Sequence, residues 1–544
     1  DMQLFIDALD NSQKGLISGK GGIAFLGQQL NNQSGLLSAA GVLQIQADSV
    51  RNGAGRIASQ SDLVANVGDL AQQGGEFVAQ GNLTLTGNTL DNSGAGLVGA
   101  TKALKLTVGN VNNRGGELSS QQDVTITAQQ LDNSDAGKVI AGTALQLNVD
   151  RLINRAKGML FGDTLQLNGS TLDNSAGTLA SQNGLAVDLG GALLNDAGLL
   201  SSESRLSIKT ASLSNAAGSV SSAGALTIAT PGAVNNQHGS ITTDGGLTLA
   251  SASLDNRNQG VISGKTSAAI NTGAFDNSHG GQLTSADTLT LTAGQVTNQD
   301  GARIAATKAI TASVTGLDQQ GGELFSNGAL TLDLNHGQLN NQSGLINSSG
   351  ALLLKNLAGV NNQSGEISST QGFTFGADSL DNGNGKLLSD QALIVRVAQA
   401  LNNVKGVISA ASLDARSDSL DNTVGLLSSH GAFDLTVSNA LNNHNATLVA
   451  DGKLTLNAAS VDNGLGQIAS KQDLIANIGG LQQQGGQLIA LGALKLTGAS
   501  VDNRQDGLVS ANGVMTLNVG SIDNRGGELS SQDDISVTGQ RLDN

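Results

Sequence analysis

The chain has no cysteine, tryptophan or tyrosine, and a single proline, Pro231, in 544 residues. Without cysteine there is neither a disulfide framework nor a thiolate metal site. That does not assign the chain to a reducing compartment, because a stacked β-core needs no disulfides even where the surroundings are oxidising. Glycine is abundant at 74 residues, but one proline is too few for collagen or for a Pro-rich disordered linker. Charge is sparse and mostly acidic: 13% of residues are charged and the net charge is −16. An acidic surface repels nucleic acid and anionic lipid, so neither is an expected partner. The rest of the surface must be Asn, Gln, Ser, Thr and Gly, which resembles a secreted surface. No apolar run approaches the length of a membrane span, so this segment is not expected to insert in a bilayer. The opening residues Asp1-Met2-Gln3-Leu4 carry no signal-peptide pattern.

What is present is a tripeptide that keeps returning: Leu9-Asp10-Asn11, Leu30-Asn31-Asn32, Val50-Arg51-Asn52 and so on to Leu542-Asp543-Asn544. There are 27 copies; the third position is Asn in 24 and Gln in three, Gln72, Gln319 and Gln483. Successive third positions lie 20 or 21 residues apart, except for 19 from Asn403 to Asn422 and 22 from Gln319 to Asn341. A fixed period of this size over a whole chain is the mark of a solenoid. Residues 1–544 therefore read as one continuous repeat region. Both ends look cut from a longer array, since solenoids close with atypical capping repeats.

One repeat shows what each coil does. From Asn113 to Asn133, Leu118, Val124, Ile126 and Leu131 sit in short alternating runs of period two, the pattern of strands with one buried face. Gly115-Gly116 permits a tight turn, Gln121-Gln122-Asp123 marks a second corner, and a third falls around Ala128 to Gln130. Three short strands and three turns give a triangular coil. In the next coil the extra residue lies in the turn Asn133-Ser134-Asp135-Ala136-Gly137, and the 22-residue coil carries its excess around Asn335-His336-Gly337. Such placement preserves strand register, which an insertion inside a strand would flip.

A strand that recurs in every coil must pair with its own successor, parallel and in register. Like then stacks on like at about 4.8 Å, so Leu lies on Leu and Asn on Asn in a side-chain amide ladder. Gln keeps the amide and is the one substitute used, so replacing an anchor Asn by Gln is expected to be milder than replacing it by Leu. The middle residue of the tripeptide varies, so Asp255 and its equivalents are expected to face water. Crossover handedness favours a right-handed parallel β-helix of about 26 coils, on the order of 125 Å long. A longer recurrence relates Asp62-Leu63-Val64-Ala65-Asn66-Val67-Gly68 to Asp473-Leu474-Ile475-Ala476-Asn477-Ile478-Gly479, 411 residues or twenty coils on. The array grew by block duplication.

No residue is assigned a catalytic, cofactor or metal role. His238, His279, His336, His430 and His444 have no metal-ligand spacing, although His238 and His279 share a coil position with Asn258 and Asp300 and could form a short polar column; exposed turns account for them, since His tolerates such turns. Asp91, Asp132, Asp173, Asp255 and Asp523 occupy the middle anchor position. Catalytic carboxylates converge once, in a cleft walled by loops, whereas these recur along the array and no interval exceeds 22 residues. The calcium nonapeptide and the P-loop Lys are absent. Thr125/Thr127 is flanked in the neighbouring coils by Lys105/Thr107 and Gln146/Asn148, so no threonine face persists. Phe373/Phe375 has the spacing of two inward core residues.

The unit x-L-D-N-x-x-G-G-x-L-x-S-x-x-x-L-x-L, as in Leu131-Asp132-Asn133 with Gly115-Gly116, resembles the 20-residue repeat of the filamentous haemagglutinin family. The resemblance spans essentially the whole chain. It implies a β-helical surface filament of a Gram-negative exoprotein, exported through an outer-membrane two-partner-secretion transporter. Family members include adhesins, virulence factors and contact-dependent growth-inhibition effectors. In those effectors the repeats are a stalk, and receptor-binding and toxin segments lie elsewhere; none of these, nor the N-terminal secretion domain, is found within residues 1–544. The function implied is a non-catalytic stalk. The alternative is an adhesin whose shaft itself binds host-cell, glycan or biofilm-matrix ligands.

Overall fold

The computed structural model describes residues 1–544, and every regular element in it is a β-strand. Strands pair parallel with their counterparts one coil on, giving an all-β, right-handed parallel β-helix. The chain falls into two units, Asp1–Gly273 and Ala274–Asn544. Both are built from the same coil.

Register is like on like. In unit 1, Leu118 lies beside Val139, Val139 beside Leu160 and Leu160 beside Leu179, all fully buried. In unit 2, Leu454 pairs with Leu474 and Leu474 with Leu494. Phe373 and Phe375 point inward, with 6% and 0% exposure. Each buried aliphatic side chain contributes about 1.5–3 kcal/mol, and a coil such as 113–133 supplies four, Leu118, Val124, Ile126 and Leu131.

The three sides are closed differently from the expected three short strands. Some coils do have three, such as Leu199–Ser202, Leu206–Lys209 and Ser212–Ser214. In the coil read above, Glu117–Ser120 is followed by one nine-residue strand, Val124–Asp132. The corner at Ala128 to Gln130 is a bend within that strand. Inward residues run 124, 126 and then 131, so the side-chain phase changes at the bend. Pairing to the preceding coil also skips there, from Thr107↔Thr127 to Asn110↔Gln130.

The first corner absorbs length as expected. Asp135 and Ala136 both adopt left-handed backbone, φ 55° and 63°, where the coil before uses one such residue, Gly115 at φ 63°. The 22-residue coil keeps one such residue at its first corner, Gly321 at φ 66°, and takes its excess at the corner before Leu339, where Asn335 and His336 are left-handed. The second glycine of the pair has a different role. Gly116 has no positive φ, but a Cβ there would lie 2.0 Å from the Asn92 carbonyl oxygen of the coil before. Coil-to-coil approach, not turn conformation, demands glycine at this position.

The second corner is capped from within, a device the sequence reading missed. Buried Ser470 donates through Oγ to the carbonyls of Gly452 and Asp473 and accepts from the Gln472 amide. Ser59 occupies the equivalent place in unit 1.

Candidate functional site

The feature that every coil repeats is the inward amide. Asn113 is completely buried. Its Oδ1 accepts from Asn92 Nδ2 at 2.7 Å, and its Nδ2 donates to Asn133 Oδ1 at 2.6 Å. The same Nδ2 also reaches the carbonyls of Lys138 at 2.9 Å and Gly116 at 3.3 Å. Asn113 thus joins the coil before it, the coil after it and its own turn. Asn236 Nδ2 donates in the same way to Asn256 Oδ1 at 2.7 Å.

Gln is not equivalent to Asn. Asn52 Nδ2 donates to Gln72 Oε1 at 2.7 Å, but Gln72 Nε2 passes the next rung and bonds the Leu97 carbonyl at 3.3 Å. Asn92 Oδ1 is left buried with no partner. Gln483 likewise bonds the Leu508 carbonyl, and Asn503 Oδ1 is unpartnered. Only Gln319 carries the ladder on, to Asn341 Oδ1 at 3.2 Å. The rung is lost where the next turn has two left-handed residues, Gly94 and Ala95 or Gln505 and Asp506, and kept before the single Ser343.

The middle anchor position is not idle towards water. Its side-chain oxygen accepts the backbone N–H two residues on: Ser134 to Asp132 at 3.0 Å, Ser93 to Asp91 at 3.2 Å, Ser175 to Asp173 at 3.1 Å and Arg525 to Asp523 at 3.3 Å. These are Asx-turns, for which Asp and Asn serve alike. Where Ser214 stands instead, Asp196 of the preceding coil accepts the Ala216 N–H at 3.0 Å. Asp255 is half-buried and receives Arg257 Nε and Nη2 and Gln237 Nε2. Burial works to raise its pKa; the Arg257 and Gln237 bonds outweigh burial and leave it below the ordinary carboxylate range. The Arg525 guanidinium, hydrogen-bonded to Asp523, brings that carboxyl down to about 2.

All five histidines are exposed. His238, His279 and His336 adopt left-handed φ of 55°, 57° and 65° in their turns. His279 Nε2 lies 3.5 Å from Asp300 Oδ2, so part of the expected polar column forms, as an exposed pair. No group of three or more His, Cys, Asp or Glu side chains is placed to hold a metal ion. On the short-strand face of unit 1, a surface groove of about 750 Å³ is floored by Ser38, Ala58, Val78, Gly99 and Ser119, beside the Arg56–Glu76 ion pair. No helix is long and apolar enough to cross a membrane.

The repeated chemistry is one buried amide per coil, joined in many coils by a side-chain turn cap and in some by a buried hydroxyl cap. Comparison with known families agrees with that repetition. The haemagglutinin repeat model matches residues 7–87, 78–160, 374–437, 432–498 and 492–544, more than half of the chain. No curated protein and no solved structure matches the chain. By those matches, the chain belongs to the filamentous haemagglutinin repeat family.

Proposed function

We propose that residues 1–544 are one continuous, non-catalytic stalk region of a larger secreted cell-surface exoprotein of a Gram-negative bacterium. It holds a distal receptor-binding or toxin-delivery region towards a target cell, as in contact-dependent growth inhibition. Its partners are an outer-membrane two-partner-secretion transporter and, through regions outside these residues, a target-cell receptor. The observation that carries this reading is the contrast between inside and outside. Inward apolar residues and the buried anchor amide repeat coil after coil, while the outward residues of paired strands change, as from Lys105 to Thr125 to Gln146. A spacer requires the first and places no demand on the second.

The groove beside Arg56 and Glu76 favours, locally, the second reading, an adhesin whose shaft binds ligand. Coil deletions in the full-length exoprotein separate the two. Each coil contacts only its neighbours, so removing one from anchor to anchor leaves the rest folded. Deleting Asn52–Ala71, within the groove, and Asn195–Ser214, outside it, should shorten reach equally and preserve specific cell attachment. Loss of attachment with the first deletion alone would replace the stalk by the adhesive shaft.

A further inference from the structure

The two unpartnered ladder oxygens are related by the block duplication. Gln72 and Asn92 lie 411 residues before Gln483 and Asn503, the offset that relates the duplicated segments. The local structure repeats with them. The strands Leu63–Ala71 and Leu474–Gln482 have matching bounds. The coil after each Gln begins with two left-handed residues, Gly94 and Ala95 in one copy and Gln505 and Asp506 in the other. The anchor backbone bond is kept at both junctions: Gln72 N–H donates to the Asp91 carbonyl at 2.7 Å, and Gln483 N–H to the Asp502 carbonyl at 2.8 Å. The side-chain rung is missing at both. Gln319, which precedes a coil with one left-handed residue in this turn, Ser343, keeps its rung.

We propose that the Gln72–Asn92 and Gln483–Asn503 junctions are built-in opening points, the interior places where each unit of the β-helix parts first while the rest of its coils stay folded. A buried carbonyl oxygen without a donor loses little when the coils separate, because water then supplies the missing bond. Every intact rung must instead surrender a buried amide bond. Local opening free energies differ across a structure in this way, and amide exchange reads them.

Native-state hydrogen exchange of the full chain, followed by mass spectrometry, tests this. Amides of Leu97–Ala100 and Leu508–Ala511 should exchange about tenfold faster than those of Glu117–Ser120 and Gln467–Ser470, as follows from one unsatisfied buried group. Gln72→Asn should slow exchange about tenfold at the first site and leave the second unchanged, and Gln483→Asn the reverse. Gln319→Asn, where the rung already exists, should change its own junction less than twofold. Asn113→Gln precedes a coil with two left-handed turn residues and should create a new fast site at Lys138–Ala141. Equal protection at the Gln and Asn junctions would overturn the proposal. So would Gln72→Asn that folds, as judged by circular dichroism, but leaves local exchange unchanged. Should Gln72→Asn fail to fold, unaltered exchange at Lys138–Ala141 in Asn113→Gln would overturn it independently.

Discussion

Asn113→Leu preserves bulk at a buried ladder position and removes every polar contact made there. Four hydrogen bonds disappear: one received from Asn92, and three donated to Asn133 Oδ1, Lys138 O and Gly116 O. The losses are unequal. Asn92 Nδ2 keeps the carbonyls of Gly96 and Glu117, both at 3.0 Å, so its amide remains satisfied. Asn133 Oδ1 loses the ladder donor that reaches it and stays buried. One orphaned buried oxygen costs about 1–3 kcal/mol, and the other lost bonds add about 1 kcal/mol more between them. We expect about 3 kcal/mol in total. The comparison is Asn112→Ala next door, which loses a 2.9 Å bond to Asp91 and the 3.3 Å turn cap on Arg114 in a more accessible place. That change should cost about 1 kcal/mol. Urea unfolding of residues 1–273, followed by circular dichroism, reads the difference. With a slope of about 3 kcal/mol/M, Asn113→Leu should lower the midpoint by about 1 M and Asn112→Ala by about a third of that. Equal shifts would refute the inward ladder and reduce the anchor Asn to a turn-former.

Gly116→Ala should destabilise unit 1 by about 1–3 kcal/mol through overpacking, because its Cβ meets the Asn92 carbonyl; the same urea experiment measures it. Where Ala446 naturally fills the equivalent place, the bond from Asn443 Nδ2 to its carbonyl is stretched to 3.5 Å, so Ala446→Gly should be neutral or stabilising. Arg525→Gln should raise the Asp523 carboxyl from about 2 towards 3.8, read by carbon-13 titration of its side chain. Because the folded pKa is depressed, the Asp523 contribution to stability is complete above about pH 4 and fades as pH falls through about 2; Arg525→Gln should remove that acid sensitivity.

Most of the fold was legible because the inward residues are nearly invariant from coil to coil. Leu131 and Asn133 return at a fixed spacing, and a stacked strand with one buried face permits little else. What escaped notice depends on distances between coils. Gln and Asn carry the same amide, and a single methylene matters only against the Asn92 oxygen one coil away. The middle position looked solvent-facing because Asp132, Asn112 and Ser214 interchange there; Asp and Asn interchange because a turn cap needs an oxygen and not a charge, and where Ser214 stands Asp196 supplies that oxygen. Gly116 looked like a turn residue beside Gly115, although its constraint comes from the preceding coil. The buried hydroxyl of Ser470 stayed hidden because Ala490 fills the equivalent site one coil on. No site residue was expected from the sequence, and the ladder's two unpartnered oxygens had no signal in it beyond the Gln substitutions themselves.

In-register stacking of successive coils is the claim on which all of this rests, and the absence of cysteine makes it directly measurable. Lys105 pairs with Thr125 in the next coil, both on the outer face. Parallel neighbours stand about 4.8 Å apart, inside the range of about 4.4–6.8 Å between Cα atoms that a disulfide spans. Thr127, two residues further along the same face, lies about 8 Å from Lys105 by strand geometry, outside that range. The double variant Lys105→Cys/Thr125→Cys should therefore close an intramolecular disulfide under mild oxidation, seen as loss of two free thiols in the monomer. Lys105→Cys/Thr127→Cys should keep both thiols free. Closure of the second pair in preference to the first would contradict the register, and with it the ladder.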